Sequence, residues 1–323
     1  MIVDTEIREE IFETVSRLFG IEIHDWVQIH LGYKNLKWQI KTDAGDLFVK
    51  QYNKHRYPVN RLAGLEKALQ IQNRLFQEGL PCPELFSHEG KFIFNSENGE
   101  HFVIMGLNKG FTLPPGSANS SQMYSLGKTI GRMHVLLDRN IAREPLHWDL
   151  QPKIKMLENW KERWDEAITL DCSSTLKILE AQRRILEEND TDLFAQCEKG
   201  WAHWDLFTDN ILFYANEVSS ILDFDRMNVV YTDFDISRPI LSCCIHENQI
   251  RLECVSAFVM GYREFKPLSL EKLVRSIKIN WWKEAEWIRV EKPGDSIPLK
   301  RFREENVWIA ENWDVLEDLF SPI

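Results

Sequence analysis

Two short runs of this chain carry residue types at spacings that can do chemistry. One is His203-Trp204-Asp205-Leu206-Phe207-Thr208-Asp209-Asn210, and the other is the triplet Asp223-Phe224-Asp225. Asp205 can orient a hydroxyl and accept its proton. Asn210 can offer an amide oxygen to a divalent cation across the same loop. Asp223 ends the run Val218-Ser219-Ser220-Ile221-Leu222, which reads as a buried strand. A carboxylate there is costly unless it is paired or bound to metal. Magnesium takes a few carboxylate or amide oxygens and completes its shell with phosphate oxygens and water, which suits Asn210 with Asp223. A base, an amide ligand and a carboxylate ligand are the polar groups that phosphoryl transfer from a nucleotide requires. Each alone has an ordinary reading, because Asp and Asn are common turn formers. Their joint occurrence in this order points to chemistry.

Other residues support that reading. His203 is expected to hold the loop by hydrogen bonding rather than to react. Asp225 is open to two roles, a contribution to a second metal or to the shape of its loop. Asp235 precedes an apolar helical run and reads as a helix N-cap. Lys50, in Leu47-Phe48-Val49-Lys50, sits on an expected strand and is the candidate for the α- and β-phosphates. Such a lysine needs a carboxylate to hold it, and Glu66 is the only acidic residue between Lys50 and Gln77. Glu66 is therefore its expected partner by elimination. The loop His30–Leu36 contains one glycine, Gly32, so the G-x-G-x-x-G pattern is absent. Phosphate contacts there would come from backbone N–H groups between Gly32 and Asn35.

The elements that must position these residues follow from periodicity. Residues 4–19 pattern as an amphipathic helix stopped by Gly20, and residues 60–78 as a second helix. Residues 38–52 read as a hairpin, and 91–94 and 101–105 as two more strands. From Ser120 the pattern is helical, with further helices over 155–168 and 173–188. Short strands follow near 210–225, and then helix to the end. The fold class expected is α+β, with a small antiparallel-sheet lobe over residues 1–106 and a larger, mostly helical lobe over 107–323.

Bulk properties exclude several functions. A net charge of −11 over 323 residues argues against nucleic-acid binding. No apolar run approaches the length of a membrane-spanning helix. The acidic start lacks an apolar signal segment, so a cytoplasmic location is expected. The 6 cysteines form no C-x-x-C pair and read as free thiols.

These residues together resemble the aminoglycoside phosphotransferase-like kinases, small-molecule relatives of protein kinases that include choline and homoserine kinases. The similarity runs from about residue 28 to 240. It rests on Gly32-Tyr33-Lys34-Asn35, Phe48-Val49-Lys50, Gly79-Leu80-Pro81-Cys82-Pro83 and Phe102-Val103-Ile104-Met105. It continues through Leu126-Gly127 to Ile130-Gly131 and His134, then His203-x-Asp205 to Asn210-Ile211-Leu212, then Leu222-Asp223-Phe224-Asp225 and Asp235. The resemblance implies a bilobal protein-kinase-like fold using ATP and Mg²⁺ to phosphorylate a hydroxyl of a small molecule. It implies Asp205 as catalytic base, Asn210 and Asp223 as magnesium ligands, and Lys50 as the phosphate lysine. Adenine would bond to the backbone around Met105 and Leu107. The family's usual loop is H-G-D, and Trp204 departs from it. The Gly-Leu-Pro-Cys-Pro run looks like the homoserine-kinase branch.

The acceptor pocket would be built from residues 140–200 and 240–320. Carboxylates there (Asp149, Glu158, Asp165, Glu284, Glu286) beside Trp148, Trp160, Trp164, Trp281, Trp282 and Trp287 would suit an amine-bearing alcohol through cation–π contact. The competing reading of these residues is a solvated helix face over an aromatic core. Two rival functions are a non-catalytic nucleotide-binding module and a protein Ser/Thr kinase. The second ranks lower because no A-P-E follows Asp223.

Overall fold

The computed structural model describes residues 2–30, 34–142, 144–291 and 297–323. The chain forms two compact units, one of residues 1–110 with 219–226, the other of 111–218 with 227–323. The sequence reading put a single cut near residue 106. The structure instead returns a short later segment, the one carrying Asp223 and Asp225, to the first unit.

The first unit opens with helix α1 (Ile2–Phe19) and continues through strands β1 (Ile23–Gln28), β2 (Lys37–Thr42) and β3 (Gly45–Tyr52). Helix α2 (Val59–Gln77) follows, then β4 (Phe94–Asn95) and β5 (His101–Gly106). The strands form one antiparallel sheet in the order β1-β2-β3-β5-β4. Successive side chains of a strand face opposite sides, and both sides of this sheet are covered. Phe102 and Ile104 of β5 join Trp38, Ile40, Leu47 and Val49 under Ile11 and Val15 of α1. Val103, on the other face, joins Tyr52 and Tyr57 with Leu65 and Leu69 of α2. The strand expected over 91–94 shrinks to Phe94–Asn95. The N–H groups of Phe92 and Ile93 go to the Glu66 carboxylate instead of to a neighbouring strand.

The second unit is mostly helical: α3 (Ser120–Asn140), α4 (Lys153–Thr169), α5 (Ser173–Glu188), α6 (Asp233–Cys244), α7 (Leu252–Arg263), α8 (Leu270–Glu284), α9 (Ile297–Asn312) and α10 (Leu316–Phe320). Short strands interrupt it: β6 (Lys199–Ala202), β7 (Ile211–Tyr214), β8 (Glu217–Ile221, which runs across the division between the units), β9 (Asn228–Tyr231), β10 (Ile245–His246) and β11 (Gln249–Ile250). The last three were expected to be helical. β6 and β9 pair antiparallel from Lys199 opposite Tyr231 to Ala202 opposite Asn228. That pairing matters because β6 runs directly into His203 and β9 runs directly into α6.

Helices α3 and α7 cross at glycines. A Cβ on Gly127 would lie 2.0 Å from the Phe258 carbonyl oxygen, and one on Gly261 would lie 2.1 Å from that of Tyr124. Their backbones therefore pack at a distance no side chain permits. Helix propensity alone predicts that Gly127→Ala gains about 1 kcal/mol. Packing predicts a net loss of about 3 kcal/mol, since a rigid backbone carbonyl must move. Chemical denaturation of the Gly127→Ala protein should show a lowered midpoint, and a raised one contradicts this account of the crossing.

Candidate active site

In the first unit the site is built around Lys50 at the inner end of β3. Its Nζ donates to Asp223 Oδ1 at 2.7 Å and to Asp225 Oδ2 at 2.5 Å. Two tyrosines complete the group. Tyr52, two residues along the strand and so on the same face as Lys50, donates its hydroxyl to Asp225 Oδ1 at 3.0 Å. Tyr57 donates to Asp225 Oδ2 at 3.2 Å. Asp225 thus has both oxygens engaged and is 4 % exposed, whereas Asp223 meets Lys50 through one oxygen and is 25 % exposed. The segment bearing them is tied down by the Ile221 N–H, which donates to the Pro81 carbonyl at 2.8 Å. The Gly79–Pro83 run therefore both ends α2 and receives this segment.

Burial opposes charge on all three groups, and their mutual attraction decides the outcome. The two carboxylates outweigh burial and hold the Lys50 ammonium above the usual lysine range. Lys50 likewise outweighs burial at Asp223 and holds it well below the usual carboxylate range. At Asp225, burial together with the neighbouring Asp223 charge prevails over Lys50, and the carboxyl is pushed up.

Glu66 is not the partner of Lys50. Its carboxylate accepts the N–H groups of Phe92 and Ile93 at 3.0 and 2.9 Å, so it organises the chain before β4. Glu66 is only the first acid after Lys50 in sequence, whereas the two carboxylates on Lys50 are 173 and 175 residues away. Asn35 is buried, and its side-chain oxygen accepts the Asn53 N–H at 3.1 Å. This fastens the base of the β1–β2 connection to the end of β3. Gly32 lies outside the described residues. Met105 stands opposite Phe48 in the sheet and Leu107 lies just beyond β5, while the Gly106 N–H between them is taken by the Glu84 carbonyl at 2.9 Å.

In the second unit the His203–Asn210 loop is held by Asp235. This residue is completely buried and lies inside α6, not at its cap. Thr232 occupies the N-cap and makes no side-chain capping bond. Asp235 instead accepts the His203 N–H at 2.6 Å on Oδ2 and the Trp204 N–H at 2.8 Å on Oδ1. His134 of α3 joins them, with Nε2 3.3 Å from Asp235 Oδ2 and Nδ1 2.8 Å from the Tyr262 hydroxyl of α7. The pairing of β6 with β9 brings the loop and the start of α6 into this register. Within the loop, the Asp205 N–H meets His203 Nδ1 at 3.3 Å, and Asn210 Nδ2 donates to the Asp205 carbonyl at 2.8 Å. With its amide nitrogen so used, Asn210 presents its oxygen away from that bond.

Trp204 has φ +65° and Asp223 has φ +61°. Left-handed backbone at non-glycine residues costs about 1 kcal/mol or more and clusters at functional sites. At Trp204 it explains why glycine suits this position in the resembled loop. The Trp204 ring packs on Trp148 and His147, with centroids 6.1 and 6.0 Å away.

The proposed acceptor wall divides. Trp281 and Trp282 are core, and Trp160 is buried with its Nε1 on the Leu179 carbonyl. Glu158 and Asp165 pair with Lys155 and Lys161 on an exposed helix face. Asp149 accepts from the Tyr231 hydroxyl. Of the named aromatics, Trp148 is the one stacked against the Asp205 loop. The residues missed from sequence are the structural hold of Asp235 and the two tyrosines. The i+2 spacing from Lys50 to Tyr52 was the available sign.

Residues 25–257 match the model of the phosphotransferase enzyme family. A homoserine kinase of Mesorhizobium japonicum is 24% identical over 252 residues, which is 75% of this chain and 72% of that protein. One of Hyphomonas neptunium is 27% identical over 250 residues, covering 73% and 71%. Among solved structures, a microcompartment-associated aminopropanol kinase aligns with TM-score 0.63 at 16% identity, over 96% of this chain and 98% of that one. An amicoumacin kinase aligns with TM-score 0.62 at 14% identity, over 98% and 97%. At such identities these two likenesses speak to the fold, and it is the α+β kinase-like fold expected from sequence. The match over most of its length, with the His203–Asn210 and Asp223–Asp225 segments inside it, makes this chain a member of the phosphotransferase enzyme family.

Proposed function

We propose that this phosphotransferase moves the γ-phosphoryl group of ATP to a hydroxyl of a small, amine-bearing molecule. The observation that supports this most is the double hold of Asp235 on the His203 and Trp204 amides. It fixes the backbone immediately before Asp205, and positioning supplies much of the rate in phosphoryl transfer. Asp205 then accepts the acceptor's hydroxyl proton and aims the oxygen. Lys50 is the cation for nucleotide phosphates, held ready by Asp223 and Asp225.

Each donor is of a type that suits a hard divalent cation such as Mg²⁺. Asp223 is ionised, partly exposed and has one oxygen off Lys50, and Asn210 has its amide oxygen off the loop. Asp223 and Asn210 are each proposed as a ligand of such an ion, which when bound neutralises charge on the phosphates. Asp225 serves as the positioning carboxyl of the group, since its oxygens are spent on Lys50, Tyr52 and Tyr57. The relatives named as homoserine kinases and the neighbour named as an aminopropanol kinase both support an alcohol carrying an amine.

Asp205→Asn should lower kcat by at least about 1,000-fold while Mg-ATP still raises the melting temperature. Near wild-type phosphate transfer by this variant refutes the assignment. Lys50→Met removes the cation from buried carboxylates and should cost about 3–5 kcal/mol of stability at pH 7. The depressed carboxyl of Asp223 fixes the sign of the pH dependence. Its contribution is complete above the unfolded value of about 3.9 and is lost as pH falls through the folded one. The gap between wild type and Lys50→Met should therefore narrow on acidification below about pH 4. Equilibrium unfolding at several pH values checks this, and a gap that widens on acidification contradicts it.

A further inference from the structure

Arg238 lies on α6 one turn beyond Asp235, and its side chain is 6 % exposed. Its guanidinium stands 5.6 Å from the Phe207 ring and 5.0 Å from the Phe302 ring. Phe207 follows Asp205 closely, and its N–H donates to the Asp205 carbonyl at 2.9 Å. Arg238 is thus stacked on the same loop that carries the candidate base. Its Nη2 donates to Glu305, while Nε and Nη1 are buried with no hydrogen-bond partner. An unmet buried donor on a charged group costs about 1–3 kcal/mol or more. Arg301, in the same cluster, has all three nitrogens placed: on Glu305, on Glu304, and on the Leu241 and Ile245 carbonyls. Burial lowers the Arg238 pKa to about 10, against the charges of Glu284 and Asp205, so the group is a cation at neutral pH.

A second observation points the same way. Lys283 Nζ, bonded to Glu284 at 2.7 Å, lies 5.8 Å from the Trp204 ring centroid and 5.1 Å from that of Phe234. The aromatic faces beside Asp205 that an ammonium would seek already carry a cation. Lys283 is spent on Glu284, so of these two cations Arg238 is the one with donors to spare, and those donors favour an anionic group of the acceptor.

We propose that Arg238 binds a carboxylate of the acceptor through the N–H groups that Glu305 leaves unused, so that the acceptor is a hydroxylated amino acid with its hydroxyl at Asp205. This rests on Asp205 being the base of phosphoryl transfer. It separates two acceptor types that share a hydroxyl and an amine and differ in one carboxylate. Arg238 acts as a specificity-determining residue, and Asp205 remains the catalytic one.

The test measures kcat and KM with Mg-ATP for pairs of acceptors that differ only by that carboxylate: L-homoserine against 3-amino-1-propanol, and L-serine against ethanolamine. Wild type should prefer a carboxylated member by about 100-fold in kcat/KM, the scale of a buried charge-assisted contact. In Arg238→Lys and Arg238→Met the ratio should fall to within about threefold of unity, mainly through a raised KM for the acid. Should Arg238→Met fail to fold, Arg238→Lys keeps a cation beside Glu305, and the wild-type ratio needs no variant. A wild-type ratio near unity, or one retained in a folded variant, overturns the proposal. Transfer to amino alcohols alone, lost in Asp205→Asn, overturns the carboxylate anchor and leaves the phosphotransfer reading intact. No transfer to any of these acceptors also overturns the anchor; if Mg-ATP binding is missing too, the phosphotransfer reading fails with it.

Discussion

The geometry of the second unit depends on one buried carboxylate. Taking Asp235 out of water costs several kcal/mol, and it is completely buried. The compensation is directional. Two consecutive backbone N–H groups and the His134 ring converge on its two oxygens. Charge-assisted bonds of this kind are about twice as strong as neutral ones. They also bind the left-handed turn at Trp204 to a rigid helix. His134 in turn leans on Tyr262, and those two residues belong to helices that meet through Gly127 and Gly261. A chain of contacts thus runs from a glycine-spaced helix crossing to the backbone before Asp205. Loosening any member leaves buried polar groups unmet, so the loop has few alternative positions.

The group around Lys50 works by a different balance. Two carboxylates share one ammonium, and their surroundings push them apart. Asp223 is held ionised and is partly exposed, while Asp225 is enclosed by Lys50 and two tyrosine hydroxyls and is pushed toward neutrality. Carboxylates with diverging pKa values take different roles. The exposed, ionised one suits a ligand to an incoming cation, and the enclosed one suits the fixing of the lysine. The two roles do not follow from the Asp-Phe-Asp triplet itself, in which the acids look interchangeable. They follow from which of them meets the Tyr52 and Tyr57 hydroxyls.

Sequence made the elements legible where periodicity was long. The α1 and α2 helices, the β2–β3 hairpin and the helices after Ser120 were all readable, because each buries a regular apolar face. It failed where a side chain took over the work of a backbone ladder. Phe92 and Ile93 alternate like a strand, yet a single glutamate accepts both of their amides. The same glutamate had seemed bound to pair with Lys50. The error and the missing strand meet in that one side chain, which is spent 26 and 27 residues on, while the carboxylates on Lys50 lie 173 and 175 residues away and leave no local trace. Asp235 was misassigned for a related reason. An acid two residues into a helix looks like a cap, and only the β6–β9 register shows that its oxygens face a different segment. The polar residues of the His203–Asn210 loop were legible by type and spacing, but the groups that hold them were not.

Trp204 shows how the departures of a motif can be physically coherent. At φ +65° a glycine carries no steric penalty, and any other residue loses about 1 kcal/mol. Tryptophan offsets that cost through its ring, which packs on Trp148 and His147 and lies beneath the Lys283 ammonium. Aromatic pairs contribute about 0.5–1.5 kcal/mol beyond their buried area, enough to balance the strain. The exchange is not neutral for the loop. A glycine offers no ring, whereas the indole holds Lys283 over its face. On the same loop, the Phe207 ring carries the Arg238 guanidinium. The loop therefore carries two cations on aromatic supports, on rings just before and just after Asp205 in sequence.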